Sequence, residues 1–447
     1  MKNVLQKGEQ TTHLTNIRKL TGTTVQKLFS IRCHLKDIAE KPTEPFNNRP
    51  FLLGFKNGVL DLSMIAEKHE DGTPVYEHND AFRPYEYSDF ITMNTGYDFE
   101  QYDYENQPEI VDELNEFFLS VMPKEEHGIL LYQCLASCLD GLLYQRFFMF
   151  NGQGGNGKGS IFELMSLVLG SYFKKANNEL LKGFGKANQA SEDMMDLKGI
   201  RMLIFEEIGD EIDNNTMKRL TGGGELTGRR LFKGNESFTL NSTIIASFNA
   251  KPKLKYKPEG NSELRRLIDM FFCRNFTDKP DKVGKKEMVD NMEIEWCKSN
   301  PKYTTKQWGL KIRNGLLSML LNVYNKYSNG EEGIKFDFPL DIQRRVEDFL
   351  DAQNIFNSIF NTIYEQVDND KCVVKLCDIW ENIQYNSEYK ELPYKDKRRY
   401  NRKYFDEWVE KRASVSAGQG NVKVIKGYKR IDKYDDDDIK TDTETII

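Results

Sequence analysis

Blocks of apolar residues alternate with polar and amphipathic segments through the middle of the chain. Three short apolar runs cover residues 146–150, 202–205 and 243–248, and each has the length and composition of a buried strand. A glycine-rich turn follows the first run, and then an amphipathic stretch, 161–169, whose apolar spacing predicts a helix. This order of strands and helices predicts an α/β core.

Helical periodicity dominates the segment before this core. Residues 16–40 and 109–144 carry apolar residues at helical spacing, whereas 51–62 indicates two short strands around the turn Lys56-Asn57-Gly58. After the core, residues 276–305 are highly charged and predict a loop.

The last third of the chain predicts helices and a terminal hairpin. Residues 422–431 alternate around Gly427, as short hairpins do. Three helices followed by a hairpin are typical of a winged-helix DNA-binding module, although small helical cores share the pattern. Four helical patterns lie at 308–327, 346–367, 373–383 and 397–412, the last of them basic on one side.

These patterns divide the chain into six parts. We expect an N-terminal mixed α+β region (1–95), a helical collar (96–145), the α/β core (146–275), a helical connection or lid (276–345), a winged-helix-like domain (346–433) and an acidic disordered tail (434–447).

Charge is distributed unevenly along a chain whose net charge is only −6. Residues 213–260 contain nine Lys and Arg but four Asp and Glu, and residues 390–433 contain fourteen Lys and Arg but six Asp and Glu. Local basic segments in an acidic protein indicate contact with phosphate groups, whereas the alternative is ordinary solvated surface charge.

Cysteine and histidine usage excludes several kinds of site. The seven cysteines include no C-x-x-C pair, and the chain has no histidine after His127. Histidine-dependent triads and histidine-ligated zinc are therefore excluded from the last two-thirds. No apolar run approaches membrane length and the N-terminus does not resemble a signal peptide, so we expect an intracellular protein that is not secreted and has no membrane partner.

The glycine-rich turn fits the pattern of a phosphate-binding loop, Gly152-x-x-x-x-Gly157-Lys158. Glycines let main-chain N–H groups turn toward a phosphate, and the lysine contributes a point charge. The alternative is a glycine turn without a ligand. The predicted nucleotide-binding residues are Gly152, Gln153, Gly154, Gly155, Asn156, Gly157, Lys158, Gly159 and Ser160.

One position departs from that pattern. A serine or threonine that binds Mg²⁺ is expected after the lysine, but Gly159 stands there and Ser160 follows. Either Ser160 supplies the hydroxyl, or a water takes the coordination position.

Polar residues end the other two predicted strands. The pair Glu206-Glu207 is placed to hold Mg²⁺ through its first carboxylate and to polarise an attacking water through its second. Asn249, at the end of the third strand, is placed beside the terminal phosphate of a nucleotide. Acids and asparagines also end strands for purely structural reasons. The prediction of a nucleotide site therefore depends on the order in which these residues follow the phosphate-binding loop.

Two groups of cations complete the candidate chemistry. Residues 226–232 and 237–240 flank Gly234-Asn235, a two-residue hairpin signal, and the hairpin carries the predicted DNA-binding residues Arg229, Arg230 and Lys233. Arg265 and Arg266 begin an apolar run, and arginine stabilises charge on a transferring phosphoryl group, sometimes from a neighbouring subunit. The alternatives are that the hairpin is an ordinary exposed one whose cations serve solubility, and that the two arginines are surface residues without a catalytic role.

The chain resembles the helicase part of viral and phage primase–helicases of helicase superfamily 3, the group that includes the poxvirus-type proteins. The segment 55–62 also resembles the region before the helicase core in that family. The motifs that carry the resemblance lie at 152–160, 205–207, 218–224, 229–233, 247–249 and 265–266.

The resemblance implies an AAA+ type P-loop ATPase core that assembles as a hexameric ring. It implies ATP and Mg²⁺ between subunits, with Lys158, Glu206, Glu207 and Asn249 as catalytic residues and Ser160 beside Glu206 at the metal. Arg265 or Arg266 of a neighbouring copy would complete the site. The hairpin would hold single-stranded DNA in the channel and separate forked duplex DNA, with 3′ to 5′ movement.

The resemblance leaves two functions open. We expect an ATP-dependent DNA helicase of viral or mobile-element replication. Because residues 1–50 lack the acidic pair of the family's primase, we expect either the helicase half alone or a separately encoded primase partner. The alternative, favoured by Gly159, is a DNA-binding replication scaffold or primase partner with weak or no ATP turnover.

Overall fold

The structure is a computed structural model, and it describes most of the chain from residue 46 onward. The described residues are 46–66, 81–103, 105–183, 192–209, 211–229, 235–255, 261–280, 287–289, 292–369, 371–392, 394–413, 415–417 and 422–431. The predictions of a helix at 16–40 and of a disordered tail at 434–447 lie outside these residues.

A parallel sheet forms the centre of the described fold. In chain order its strands are β1 (Phe147–Asn151), β2 (Phe173–Lys175), β3 (Met202–Phe205), β4 (Thr243–Phe248) and β5 (Leu267–Phe271). Their order in the sheet is β5-β1-β4-β3-β2, and every neighbouring pair is parallel. The predicted α/β core is therefore confirmed.

Both faces of this sheet are covered, which explains why three of its strands read as continuous apolar runs. Phe148 and Phe150 of β1 lie in one core with the helices Pro108–Val121, Glu125–Ala136, Lys158–Leu169 and Lys306–Tyr327. Phe147 and Met149 lie in a second core on the opposite face, with the helices Asn214–Thr221 and Leu340–Ala352.

The N-terminal elements agree in part with their pattern. Leu52–Gly54 and Val59–Asp61 pair antiparallel around the predicted turn, and Phe82–Arg83 adds a third strand. The predicted helical region 109–144 consists of two helices and ends earlier, at Ala136, because Ser137 and the following residues form turns.

The prediction of a loop over 276–305 is wrong. Arg274–Thr277, Glu287–Val289 and Met292–Lys298 form a three-stranded sheet. The available signal was the alternation of Met292, Ile294 and Trp296 with glutamates; Ile294 is buried, and Glu293 and Glu295 are exposed.

Asparagine caps divide two of the predicted C-terminal helices. The predicted helix 346–367 is split into Leu340–Ala352 and Ile355–Ile363, because the Asn354 side chain accepts a hydrogen bond from Phe356 N and starts a new helix. Asn401 starts Arg402–Arg412 in the same way, after Tyr394–Arg399.

The predicted hairpin at 422–431 is wrong because its two strands pair with different partners. Lys423–Lys426 pairs with Val373–Lys375 and Val415–Ala417, whereas Tyr428–Arg430 pairs with Tyr364–Gln366. Gly427, with φ +77°, lets the chain pass from one sheet to the other. The remaining C-terminal helices are Leu376–Tyr385 and Ser387–Lys390.

The cationic hairpin forms, but not with the predicted turn. Glu225–Arg229 pairs antiparallel with Asn235–Thr239, and Arg229 lies opposite Asn235. Five residues therefore separate the paired ends, and Asn235 is a strand residue rather than half of a two-residue turn. The remaining short elements are Leu62–Ala66, Glu192–Met195, Glu211–Asp213, Lys253–Lys255 and Asn261–Leu264.

None of the helices among the described residues is both long enough and apolar enough to cross a membrane.

Candidate functional site

The glycine-rich loop joins β1 to the helix Lys158–Leu169, as predicted. Gly152 and Gly157 have φ values of +146° and +86°, which disfavour side chains. A Cβ on Gly157 would lie 2.7 Å from Val121 Cγ2, and one on Gly152 would lie 2.7 Å from Phe272 O. A side chain at either position would therefore clash, so both positions require glycine.

Lys158 is a buried cation at the N-terminus of its helix. Its side chain folds back, so that Nζ donates a hydrogen bond to Gly152 O, and the residue is 6% exposed. Burial lowers its pKa to about 8, because the charged form loses solvation. A helix N-terminus and a desolvated ammonium group together favour an anionic ligand.

Asn156 lies inside the same loop and is also buried. Its Oδ1 is 3.4 Å from the main-chain N of Lys158, while its Nδ2 has no hydrogen-bond partner among the described residues. A buried amide donor without a partner is uncommon, and it supplies a further hydrogen-bond donor next to the lysine.

The acidic pair lies where β3 ends. Glu206 is half-buried, and its Oε2 is 3.1 Å from Lys175 Nζ; Glu207 is exposed and has a positive φ of +51°. Asn178 Nδ2 donates to the main-chain oxygens of Glu206, at 2.6 Å, and Glu207, at 3.3 Å. Lys175 and Asn178 therefore hold the pair, and no motif in the sequence marked either of them.

Asn249 follows β4, which lies between β1 and β3 in the sheet. Phe248 is in register with Asn151, and Ala246 with Phe205. Because parallel strands end at the same edge, Asn249 comes next to both the glycine-rich loop and the acidic pair. We call this the carboxyl edge of the sheet.

One cleft of about 1320 Å³ connects these groups. An aromatic cluster at one wall was not predicted: the Phe117 ring centroid is 5.2 Å from those of Tyr303 and Trp308. Sequence spacing could not reveal this cluster, because about 190 residues separate Phe117 from Tyr303 and Trp308. The predicted residues that line the cleft are Gly154, Gly155, Asn156, Gly157, Lys158, Gly159, Ser160, Glu206, Glu207 and Asn249.

The donor set in this cleft fits Mg²⁺ only as part of a complex with phosphate. Glu206 and Ser160 offer one carboxylate and one hydroxyl, and the described residues contain no cluster of three or more His, Cys, Asp or Glu that could hold a metal ion. Mg²⁺ commonly takes one or two protein ligands together with substrate phosphates and waters, so these residues suit that mode.

The two predicted catalytic arginines lie at the opposite, amino edge of the sheet. They precede β5; Phe147 N donates a hydrogen bond to Arg266 O at 2.7 Å, and the Arg146 guanidinium donates one to Arg265 O. Arg265 is exposed, whereas Arg266 is 9% exposed, and burial and the neighbouring Arg265 lower the pKa of Arg266. A five-residue strand spans about 17 Å, so neither arginine reaches the cleft of its own chain.

The hairpin is also at the amino edge. Glu236 forms an ion pair with Lys198, which lies shortly before β3, and a Cβ on Gly228 would meet Met195. The backbone of Arg229 ends the first hairpin strand. The predicted DNA contacts of Arg230 and Lys233 lie outside the described residues.

Comparison with protein families and curated proteins identifies viral relatives. Residues 150–266 match the model of a family described as "Family of unknown function (DUF5906)". The chain is 26% identical over 383 residues to "Putative helicase L207/L206" of Acanthamoeba polyphaga mimivirus, covering 83% of this chain and 37% of that protein. It is 26% identical over 311 residues to "Primase D5" of fowlpox virus, covering 66% of this chain and 36% of that protein.

The chain therefore spans only about a third of the length of these relatives. A third relative, "Putative helicase V13" of Sputnik virophage, is 25% identical over 281 residues, covering 60% of this chain and 33% of that protein. Among solved structures, the apo C-terminal region of NrS-1 matches with 13% identity and a TM-score of 0.38, covering 74% of this chain and 79% of that one. The resemblance to viral primase–helicases is confirmed by the three viral relatives.

Proposed function

Since the homologues of this chain are viral proteins named as helicases and primases, we propose that it is an ATP-dependent DNA helicase of viral or mobile-element replication. The observation that carries the proposal is the cleft at the carboxyl edge. Lys158, Glu206, Glu207 and Asn249 come from three neighbouring strand ends and line that one space.

In this proposal the residues of the cleft divide the work of ATP hydrolysis. Lys158 binds the β- and γ-phosphates, and Glu207 accepts a proton from the attacking water. Asn249 orients that water beside the γ-phosphate. Glu206 and Ser160 would hold Mg²⁺, which neutralises charge on the phosphate oxygens when it is bound.

The amino edge supports a ring in which copies act on one another. An exposed arginine that cannot reach its own cleft is available to the cleft of a neighbour. We propose that Arg265 or Arg266 stabilises the transferring phosphoryl group in trans, in an AAA+ type hexamer. The arginines, the hairpin and the clefts would then face subunit boundaries or the channel.

DNA contact is assigned to the hairpin and the C-terminal region. The hairpin cations Arg229, Arg230 and Lys233 would hold single-stranded DNA through its phosphates during 3′ to 5′ movement. Residues 346–433 combine helices with short strands, and we propose that they act as a winged-helix-like DNA-binding domain. The protein would work inside the infected cell, at the site of viral replication.

The first experiment measures ATP hydrolysis with and without single-stranded DNA. We expect stimulation by DNA, and loss of hydrolysis in Lys158→Ala, because the phosphates lose their cation. Lys56→Ala is the matched control, since Lys56 is an exposed turn residue that does not line the cleft. Equal hydrolysis by Lys158→Ala and Lys56→Ala would refute the site.

The alternative function is a DNA-binding replication scaffold or primase partner without turnover. Gly159 favours it, since the usual Mg²⁺-binding hydroxyl is missing from that position. DNA binding by the unmodified protein without any ATP hydrolysis would support the scaffold and contradict the helicase.

A further inference from the structure

A buried carboxylate connects the segment after Asn249 to the C-terminal part of the chain. Asp269 lies in β5 and is 0% exposed. Its Oδ2 is 2.7 Å from Lys251 Nζ and 3.1 Å from Arg345 Nη2, while its Oδ1 has no hydrogen-bond partner among the described residues. We call these three residues the Asp269 bridge.

A fully buried carboxylate is maintained only when opposite charge compensates for its lost hydration. Both cations of the bridge contribute, and each also lies against an aromatic ring. Lys251 Nζ is 5.7 Å from the centroid of Phe349, and the Arg345 guanidinium carbon is 4.7 Å from the centroid of Phe271. The ring contacts limit where the two cations can move.

One cation of the bridge lies next to the nucleotide site, and the other lies in a helix that leads to the C-terminal part of the chain. Lys251 follows Asn249 by two residues, just beyond the end of β4. Arg345 lies in the middle of the helix Leu340–Ala352. The bridge therefore fixes that helix to the segment that positions Asn249, through a strand of the central sheet.

A second contact joins the same two elements further along. Leu254 N donates a hydrogen bond to Gln353 Oε1 at 3.0 Å. Gln353 ends the helix, and Asn354 immediately caps the helix Ile355–Ile363. The segment 251–254 thus holds the helix near its middle and at its end.

The helix Ile355–Ile363 opens a separate hydrophobic core, which includes Phe356, Leu376, Trp408 and Tyr428. We call residues 355–431 the C-terminal unit. Only Gln353 and Asn354 separate the two helices. Because so short a connection leaves little conformational freedom, a tilt of Leu340–Ala352 should move the C-terminal unit as well.

We propose that the Asp269 bridge is a positioning device that couples nucleotide binding near Asn249 to the orientation of the C-terminal unit. This inference rests on the proposed function, since it requires a nucleotide in the cleft. When Asn249 contacts the terminal phosphate, Lys251 moves with it, and the charge on Asp269 carries the displacement to Arg345 and its helix.

The test measures hydrogen–deuterium exchange of the full chain with and without a non-hydrolysable ATP analogue. In the unmodified protein, the analogue should change exchange in Leu340–Ala352 and Ile355–Ile363. In Lys251→Met that change should be lost when each variant is measured at an analogue concentration that saturates it. Lys251→Arg should restore the change, because it keeps the cation.

Lys253→Met is the matched control, since Lys253 is an exposed lysine in the same segment, and it should respond like the unmodified protein. Gln353→Ala removes the second contact at a partly exposed position and should weaken the change even if Lys251→Met does not fold.

Three outcomes would overturn the inference. A full exchange response in Lys251→Met would show that the bridge does not carry the coupling, and where that variant does not fold, a full response in Gln353→Ala would overturn the inference in the same way. Normal analogue binding without any response in the unmodified protein would refute the bridge but leave the proposed function standing. Failure of the unmodified protein to bind the analogue would refute the proposed function, and the inference with it.

Discussion

The two edges of the central sheet carry opposite halves of the chemistry expected for phosphoryl transfer. The carboxyl edge has the glycine-rich loop, the acidic pair and Asn249 around one cleft. The amino edge has Arg265 and Arg266, a strand length away. A single chain thus holds both groups of residues but does not bring them together, which is the arrangement that the proposed contact between copies requires.

The edges also differ in how their side chains are held. At the carboxyl edge, Lys158 is buried against its own loop and Asn178 fixes the acidic pair. At the amino edge, Arg265 is exposed and its carbonyl accepts a hydrogen bond from the Arg146 guanidinium. A preorganised cleft and an available cation are what a site shared between two subunits requires.

Substitutions that disable one edge at a time should have the largest effects on hydrolysis. Arg265→Ala should lower ATP hydrolysis by about 10³-fold or more, because an arginine supplied in trans has that effect in other phosphoryl-transfer sites. Arg266→Ala should have the smaller effect, since Arg266 is buried beside the sheet. Steady-state hydrolysis by the assembled protein measures both.

Mixing variants tests whether the edges meet between copies. Arg265→Ala retains the cleft and Lys158→Ala retains the arginines, so a mixed assembly should regain part of the activity that both lack alone. Absence of any recovery in a verified mixed assembly would contradict a shared site.

The second prediction isolates chemistry within the carboxyl edge. Glu207→Gln should lower hydrolysis by about 10²- to 10⁴-fold, since a general base contributes that much, while nucleotide affinity is retained. Asp61→Asn is the control, because the Asp61 carboxylate accepts hydrogen bonds from Ser63 and does not line the cleft. Turnover by Glu207→Gln at the unmodified rate would remove Glu207 from the mechanism.

The sequence predicted what depends on local pattern. Strands buried on both faces must be apolar throughout, and therefore β1, β3 and β4 were recognisable from composition. β2 was missed because it lies at the sheet edge, has three residues and includes Lys174 and Lys175. The residues of β2 are partly exposed, so its composition resembles that of a loop.

The candidate site divides in the same way, into residues that a local motif predicts and residues that only the fold brings together. The glycines, Lys158 and the strand-terminal acids act through motifs of a few residues, which one sequence displays. Lys175, Asn178 and the aromatic wall at Tyr303 act through contacts that only the fold creates. The distance of the arginines from the cleft likewise follows from the parallel direction of β5, which composition does not reveal.

The third prediction concerns the proton on Lys158. Burial holds its pKa at about 8 in the free protein, and a bound polyphosphate should raise it by stabilising the charged form. Affinity should therefore be constant below that pH and fall by up to about tenfold per pH unit above it. Titration with ADP between about pH 7.5 and 9.5 measures this.

Lys158→Arg serves as the control for the pH dependence. Arginine stays charged throughout this range, so the variant should show a flatter profile, whatever its absolute affinity. An unchanged slope in Lys158→Arg would assign the titration to another group.

The smallest expected effect concerns the unusual Gly159. A Cβ added there meets no atom within 4 Å, so Gly159→Ser should fold normally and place a hydroxyl where phosphate loops usually have one. If Ser160 now supplies that hydroxyl, Ser160→Ala should raise the Mg²⁺ concentration for half-maximal hydrolysis by about tenfold or less, because water can replace it. Gly159→Ser should restore the normal requirement in the double variant. An Mg²⁺ requirement that neither substitution changes would mean that water occupies this position in the unmodified protein, and that Glu206 and the phosphates alone anchor the ion.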